Sequence, residues 1–308
     1  MILCCGEALI DMIPTATIDG RQGFVPHAGG AIFNTAVALG RLGAEVGMLS
    51  GLSSDMFGKQ LIDGLEHSHV DVSHIILSDR PTTLAFVQLI DGHATYSFYD
   101  ENSAGRMLNV EDMPPLAQGV TALYFGGISL ACEPGAAAYA ELLKRAGEGR
   151  AVMLDPNIRP SFIRDIESYR RRLNQMLAQT DIVKVSDEDL NWLMPDATSL
   201  RDKVARLQEL GPSVVILTRG GEGATGYLAD GAEVHAPAVR AKIVDTVGAG
   251  DTFNAGVMAK LSELGHLHPA GVAQLSAETL TEALAHGARV AAVTVSRAGA
   301  NPPWAEEL

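Results

Sequence analysis

Lys242-Ile-Val-Asp-Thr-Val-Gly-Ala-Gly-Asp-Thr-Phe253 runs from an apolar segment through a turn of small residues into a helical pattern. That succession sets the class of fold. Val244 reads as the exit of a buried strand, and Gly248, Ala249 and Gly250 carry so little side chain that the backbone N–H groups stay uncovered. From Asp251 the pattern is helical through Ala259, so these N–H groups lie at the positive end of a helix dipole and form an anion site. Asp251 stands at the same helix start as a carboxylate able to accept a proton. A base beside an anion hole suits phosphoryl transfer to a hydroxyl. The plainer reading is an Asp that caps a helix after a glycine-rich turn.

Outward from this stretch, strand and helix patterns alternate. Ala122–Ile128, Ala151–Asp155, Ile182–Val185 and Ser213–Thr218 read as buried strands, with helices expected over Ala136–Gly147 and Glu167–Gln179. Such alternation predicts an α/β fold with a mostly parallel central sheet and helices on both faces. Ile2–Ile13 reads as one further strand of that sheet, with Asp11 at its ligand-binding end. Glu45–Leu52 reads as another. Two segments break the pattern: Pro14–Pro26 reads as a hairpin or excursion, and Thr82–Tyr99 alternates around Asp91-Gly92, a hairpin signal. Together they predict a small β-sheet lid whose free edge or face would accept a twofold partner.

The 23 Lys and Arg against 37 Asp and Glu leave a net charge of −14, which argues against nucleic acid and anionic membranes as partners. Hydrophobic residues make up 47% of the 308, ample for a core. Cys4, Cys5 and Cys132 form no paired framework and suit a reducing, cytoplasmic compartment. Glu7 and Asp11 interrupt the first apolar run, which has no basic lead, so no signal peptide is expected. No run reaches the roughly 18 apolar residues of a membrane span.

Gly30–Leu42 predicts a helix stopped by Gly43, with Gly29-Gly30 baring backbone to a ligand and Asn34 offering both donor and acceptor, as a sugar hydroxyl requires. Arg159, after the strand ending at Asp155, could reach a phosphate or hydroxyl, or make a structural salt bridge. Ser186-Asp-Glu-Asp189 reads as a helix cap whose carboxylates could hold water around magnesium. Gly221, Gly223 and Gly226 fit G-x-G-x-x-G, but Tyr227–His235 reads as strand where a dinucleotide site needs a helix. The last helix, Thr279–Ala292, is rich in small residues. The nine histidines show no zinc spacing.

Asp245–Phe253 resembles the C-terminal signature of the PfkB, or ribokinase-like, carbohydrate kinases. Gly29–Gly40, followed by Arg41-Leu-Gly43 and Gly51–Gly58, is similar to the N-terminal signature. Gly6–Asp11, Arg80–Phe86, Glu101–Gly105 and Asp155–Pro160 look most like the bacterial fructokinase branch. The resemblance covers essentially the whole chain. It implies a three-layer α/β/α sandwich, one domain over 1–308, with a discontinuous lid from about 12–28 and 82–103 and a homodimer formed through it. It implies that Asp251 is the base and that Gly248, Ala249 and Gly250 hold the transferred phosphoryl. Asp11, Gly30, Asn34 and Arg159 would bind the sugar with Asp251. Thr218, Gly220 and Gly223 would line the ATP site with Ala249 and Gly250. Asp245, Val247, Thr294 and Gly299 match a monovalent-cation site for potassium, and Asp189 would meet Mg²⁺ through water. Two positions depart from the family pattern: Ser186-Asp-Glu-Asp189 stands for Asn-x-x-Glu, and the adenine-side Asn of the last helix is replaced around Gly287 and Ala288.

The expectation is an ATP-dependent sugar kinase acting on fructose. A keto-deoxy sugar acid such as 2-keto-3-deoxygluconate, another sugar, or a nucleoside is the alternative acceptor; Arg159 or Arg106 would meet a sugar-acid carboxylate, and Tyr96 or Phe98 a base. A sugar sensor without catalysis and a nicotinamide dehydrogenase are the rivals from other classes.

Overall fold

The computed structural model describes residues 1–90, 93–196 and 199–308. In chain order the strands are β1 (Ile2–Cys5), β2 (Leu9–Ala16), β3 (Gln22–Gly29), β4 (Val46–Leu49), β5 (Gly51–Ser53), β6 (Ile76–Ser78), β7 (Leu84–Ile90), β8 (His93–Tyr99), β9 (Ala122–Gly126), β10 (Ala151–Asp155), β11 (Ile182–Ser186), β12 (Val214–Thr218), β13 (Ala224–Leu228) and β14 (Glu233–Ala236). The helices are α1 (Ala31–Arg41), α2 (Met56–His67), α3 (Gly135–Ala146), α4 (Ile166–Leu177), α5 (Asp187–Leu193), α6 (Leu200–Glu209), α7 (Ala249–Glu263), α8 (Pro269–Ala273) and α9 (Ala277–Val295).

Among the described residues the main sheet has eight strands in the order β14-β13-β12-β11-β10-β9-β1-β4, parallel from β12 to β4 with two antiparallel strands at the other edge. Side chains alternate across it. Ile2, Cys4, Tyr124, Met153 and Ile216 join one core with α1, α2, α7, α8 and α9, whereas Leu3, Cys5, Phe125, Leu154 and Leu217 join the other with α3, α4, α5 and α6. Period-two burial on both faces makes the three-layer α/β/α sandwich. Cys4 and Cys5 therefore point to opposite layers.

A second sheet, β3-β2-β7-β8, is built from the two segments that broke the alternation. The hairpin strands β7 and β8 pair as expected; Asp91-Gly92, read as their turn, lies outside the described residues.

Three expected strands are redrawn. Ile2–Ile13 is two strands in two sheets, because Gly6 passes directly under α1: a Cβ there would lie 2.4 Å from Ile32 Cγ1. Asp11 therefore belongs to the small sheet. Glu45–Leu52 also divides, with β5 pairing to β6 outside the main sheet. Residues 242–244 form no strand. The N–H groups of Val244 and Asp245 both donate to the Val295 carbonyl, at 2.8 and 3.2 Å, and Ile243 and Val244 are 69% and 57% exposed. Ile243 instead forms part of the wall of an open cavity.

Helices α7 and α9 press backbone to backbone. A Cβ on Gly256 would meet Gly287 Cα at 2.8 Å, and one on Gly287 would meet the Phe253 carbonyl at 2.9 Å. This contact fixes the helix whose N-terminus forms the site.

Candidate active site

Gly248 is the N-cap of α7 and lies at φ 77°, a left-handed conformation that glycine adopts without strain. The Ala249 N–H leans on the Thr246 carbonyl at 3.3 Å. No side chain caps the helix start. Among the described residues, the N–H groups of Gly248, Gly250 and Asp251 have no acceptor in the protein. Two of the three donors read from the sequence, Gly248 and Gly250, are open; the Ala249 N–H is engaged, and that of Asp251 is open in its place.

Asp251 is buried against α1. Asn34 Nδ2 donates to its Oδ2 at 2.9 Å, and Thr35 Oγ1 donates to its main-chain carbonyl at 3.1 Å. Burial pushes the Asp251 carboxyl up to about 7, and Asp155 adds to the rise, while the Asn34 hydrogen bond and Lys184 oppose it. A carboxylate poised there suits a general base working near neutrality.

Beneath Asp251 lies a polar network that the sequence reading missed. Asp155 Oδ2 accepts from Lys184 Nζ at 3.0 Å and from Asn254 Nδ2 at 2.8 Å; Asn254 Nδ2 also donates to Tyr124 Oη at 2.9 Å. One signal was available. A lysine between Val183 and Val185, in the middle of a buried strand, is anomalous unless it has a partner.

Asp11 faces the same side of the small sheet as Tyr96 and Phe98: it stands beside Ala85, which is opposite Phe98. Burial pushes its carboxyl up to about 6. Gly29 leaves room for it, since a Cβ there would be 2.3 Å from Asp11 Oδ2. Gly30, at φ 106°, caps α1. Phe98 reaches across to Phe162, ring centroids 4.4 Å apart, just after Arg159. Arg159 donates to its own Ile158 carbonyl at 3.2 Å and has no carboxylate partner among the described residues. The Tyr96 hydroxyl is pushed up first by burial and then by Asp11, with Arg159 opposing, so the ring stands among these charges. Arg106, in contrast, is bound to Asp100 at 2.9 Å in a largely buried pair.

On the other side of the α7 N-terminus is a cavity of about 480 Å³, lined by Thr218, Gly220, Gly223, Ala249 and Gly250, with Ala288 on its wall. The five positions read as nucleotide-binding therefore share one space. Gly287 turns away from it into the α7 contact. After β12, a short turn over Gly220–Glu222 leads into β13, so the glycine pattern there lacks the helix that a dinucleotide site requires.

Asp245 ties two loops together: Oδ1 accepts from Val247 N at 3.0 Å and Oδ2 from Gly299 N at 2.9 Å. Thr294 is buried, its hydroxyl donating to the Val290 carbonyl. Asp189 is a capping residue, with Oδ1 accepting from Ile158 N at 2.9 Å and Oδ2 from Ser186 N.

The family model described as "pfkB family carbohydrate kinase" matches residues 1–307. A fructokinase of Rhizobium leguminosarum bv. trifolii is 49% identical over 282 residues, which are 91% of this chain and 85% of that protein. The crystal structure of a fructokinase from Xylella fastidiosa with bound ATP superposes with a TM-score of 0.87 at 30% identity, covering 97% of this chain and 93% of that one. An aminoimidazole riboside kinase from Salmonella enterica, complexed with aminoimidazole riboside and an ATP analogue, gives 0.82 at 27% identity over 97% and 94% of the two chains.

Proposed function

The chain belongs to the pfkB family of carbohydrate kinases, and we propose from that membership that it is an ATP-dependent fructokinase. The observation that carries the chemistry is the buried Asp251 carboxylate, held by Asn34 beside the open N–H groups of Gly250 and Asp251. ATP would lie in the cavity lined by Thr218, Gly220 and Gly223 with its γ-phosphoryl at the α7 N-terminus. Those N–H groups stabilise charge on the phosphoryl as it moves. Asp251 accepts the proton of the attacking sugar hydroxyl and orients its oxygen in line. Asp11, Gly30, Asn34 and Arg159 hold the other hydroxyls. The small sheet, about 12–28 and 82–103, is a lid on a single domain over 1–308, excluding water with Tyr96 and Phe98.

Mg²⁺ bound to the ATP phosphates would neutralise their charge. Both Asp189 oxygens already accept backbone N–H groups, which fits contact through water rather than direct ligation. The loops joined by Asp245 fit a monovalent cation, K⁺, held near Val247, Thr294 and Gly299.

The preference for fructose rests on the fructokinase relatives: Arg106 is neutralised by Asp100, but Arg159 is without a carboxylate partner among the described residues and would still meet a sugar acid. A riboside is the second reading, supported by the stacked Tyr96 and Phe98 rings, 6.0 Å apart and 25° inclined, on the Asp11 face. The opposite face presents Phe24, Phe86 and Tyr99 edge to face, with Phe24 and Tyr99 exposed, and fits a homodimer formed through the lid. No helix among the described residues is long and apolar enough to cross a membrane. The described cysteines are free and buried, which supports a cytoplasmic location.

Coupled ADP release over fructose, glucose, ribose, 2-keto-3-deoxygluconate and adenosine tests the reading, with Asp251→Asn alongside. Fructose should give the highest kcat/KM and the variant should lose on the order of 10³-fold or more. Sugar binding without ADP release would support a sensor instead.

A further inference from the structure

Lys184 and Asp155 form an ion pair at 3.0 Å whose side chains are 6% and 2% exposed. Burying two charges costs several kcal/mol, and apolar side chains fill such sites at no loss of stability. The position of the pair shows what it can do. A Cβ on Gly250 would lie 3.5 Å from Lys184 Nζ, so the ammonium sits directly under the first turn of α7. Asp155 is fixed from three directions, by Lys184, by Asn254 Nδ2 and by the Asn157 N–H on Oδ1 at 3.1 Å. Strands β9, β10 and β11 and helix α7 all contribute, and Asn254 Oδ1 remains without a partner among the described residues.

We propose that the Lys184–Asp155 pair is a positioning element of the reaction, balancing the ionisation of Asp251 from beneath. This rests on the reading of Asp251 as the base. The charged and titratable groups facing Asp251 are Glu7 from the segment between β1 and β2, Tyr124 from β9, Asp155 from β10 and Lys184 from β11; α1 contributes the neutral Asn34 and Thr35. Lys184 is the one cation in that set. It favours the ionised carboxylate, Asp155 disfavours it, and their mutual hydrogen bond holds both at fixed distances. The pair keeps Asp251 able both to take the proton and to release it after transfer.

Opposite shifts are the signature of such a balance. The protonation of Asp251 is read by ¹³C NMR of Asp carboxyls in the resting protein, assigned by difference against Asp251→Asn, and in parallel by the acid limb of kcat/KM. Lys184→Met should move the transition to higher pH and Asp155→Asn to lower pH, each by about half a unit or more, while Lys184→Arg leaves it near the native position. If Lys184→Met does not fold, Lys184→Gln removes the same charge and keeps a donor for Asp155. No displacement in either variant, or displacement in the same direction in both, would overturn the proposal, since loosened packing has no reason to act with opposite signs. The NMR titration needs no turnover. An inactive native protein would therefore count against the kinase reading and not against the pair.

Discussion

Asn34 Nδ2 donates to Asp251 Oδ2 at 2.9 Å, joining two residues 217 positions apart and so linking α1 to α7. The hydrogen bond favours the ionised carboxylate and fixes which of its lone pairs remains free. Asn34→Ala should lower kcat/KM for the sugar by about ten- to a hundredfold, the loss of one charge-assisted hydrogen bond at about 1.5–3 kcal/mol. Its acid limb should move to higher pH. Steady-state kinetics over pH 5–9 measure both.

With Asp251 up at about 7, native kcat/KM should rise through pH 7 and level off above it, because the ionised form is the base. Asp11, up at about 6, adds a weaker step below. A rate independent of pH between 5 and 9 would contradict the assignment.

The same shift has a stability consequence of the opposite sense. A carboxyl whose folded pKa exceeds its unfolded value of about 3.9 contributes stability that is fully present below that value and lost as pH rises through the folded value. Asp251→Asn should therefore be more resistant to urea than the native protein at pH 8, by at most about 4 kcal/mol, and the gain should vanish towards pH 4. An inactive variant of higher stability separates function from folding at this site.

Gly248→Ala should damage the anion site. Its φ of 77° is costly for alanine, and the new Cβ would fall 2.6 Å from Ala300 Cβ. The expected destabilisation is about 1–3 kcal/mol, with kcat reduced more than the KM for sugar. Thermal unfolding and kinetics on one preparation distinguish the two effects.

Phe24→Glu places a charge in the exposed aromatic row of the small sheet. Analytical ultracentrifugation should show a dimer for the native chain and a shift towards monomer for the variant, with the fold retained by circular dichroism.

Much of this molecule was legible in one dimension. The β/α alternation from Leu123 to Thr218 predicted the parallel sheet because a strand buried on both faces must be continuously apolar. Short-range chemistry at Gly248–Asp251 predicted the open N–H groups at the start of α7, because bare backbone and a helix start are properties of neighbouring residues. Where a local pattern had two physical causes, the reading failed. Ile243 lines a cavity and Val244 is exposed; neither pairs in a sheet. Ile2–Cys5 and Ala8–Ile10 are both apolar and buried, so only Gly6 and Glu7 marked the passage between sheets.

The sequence by itself determined the layered fold, the hairpins of the small sheet and the helix start that carries Asp251, since periodicity and turn chemistry act over a few residues. Only the tertiary structure decided what Asp251 is chemically. Its elevated proton affinity comes from burial, with Asp155 on one strand adding to the rise while Asn34 on α1 and Lys184 on a neighbouring strand oppose it. Electrostatic coupling depends on distance in space and on the exclusion of water, and neither can be read from spacing along the chain.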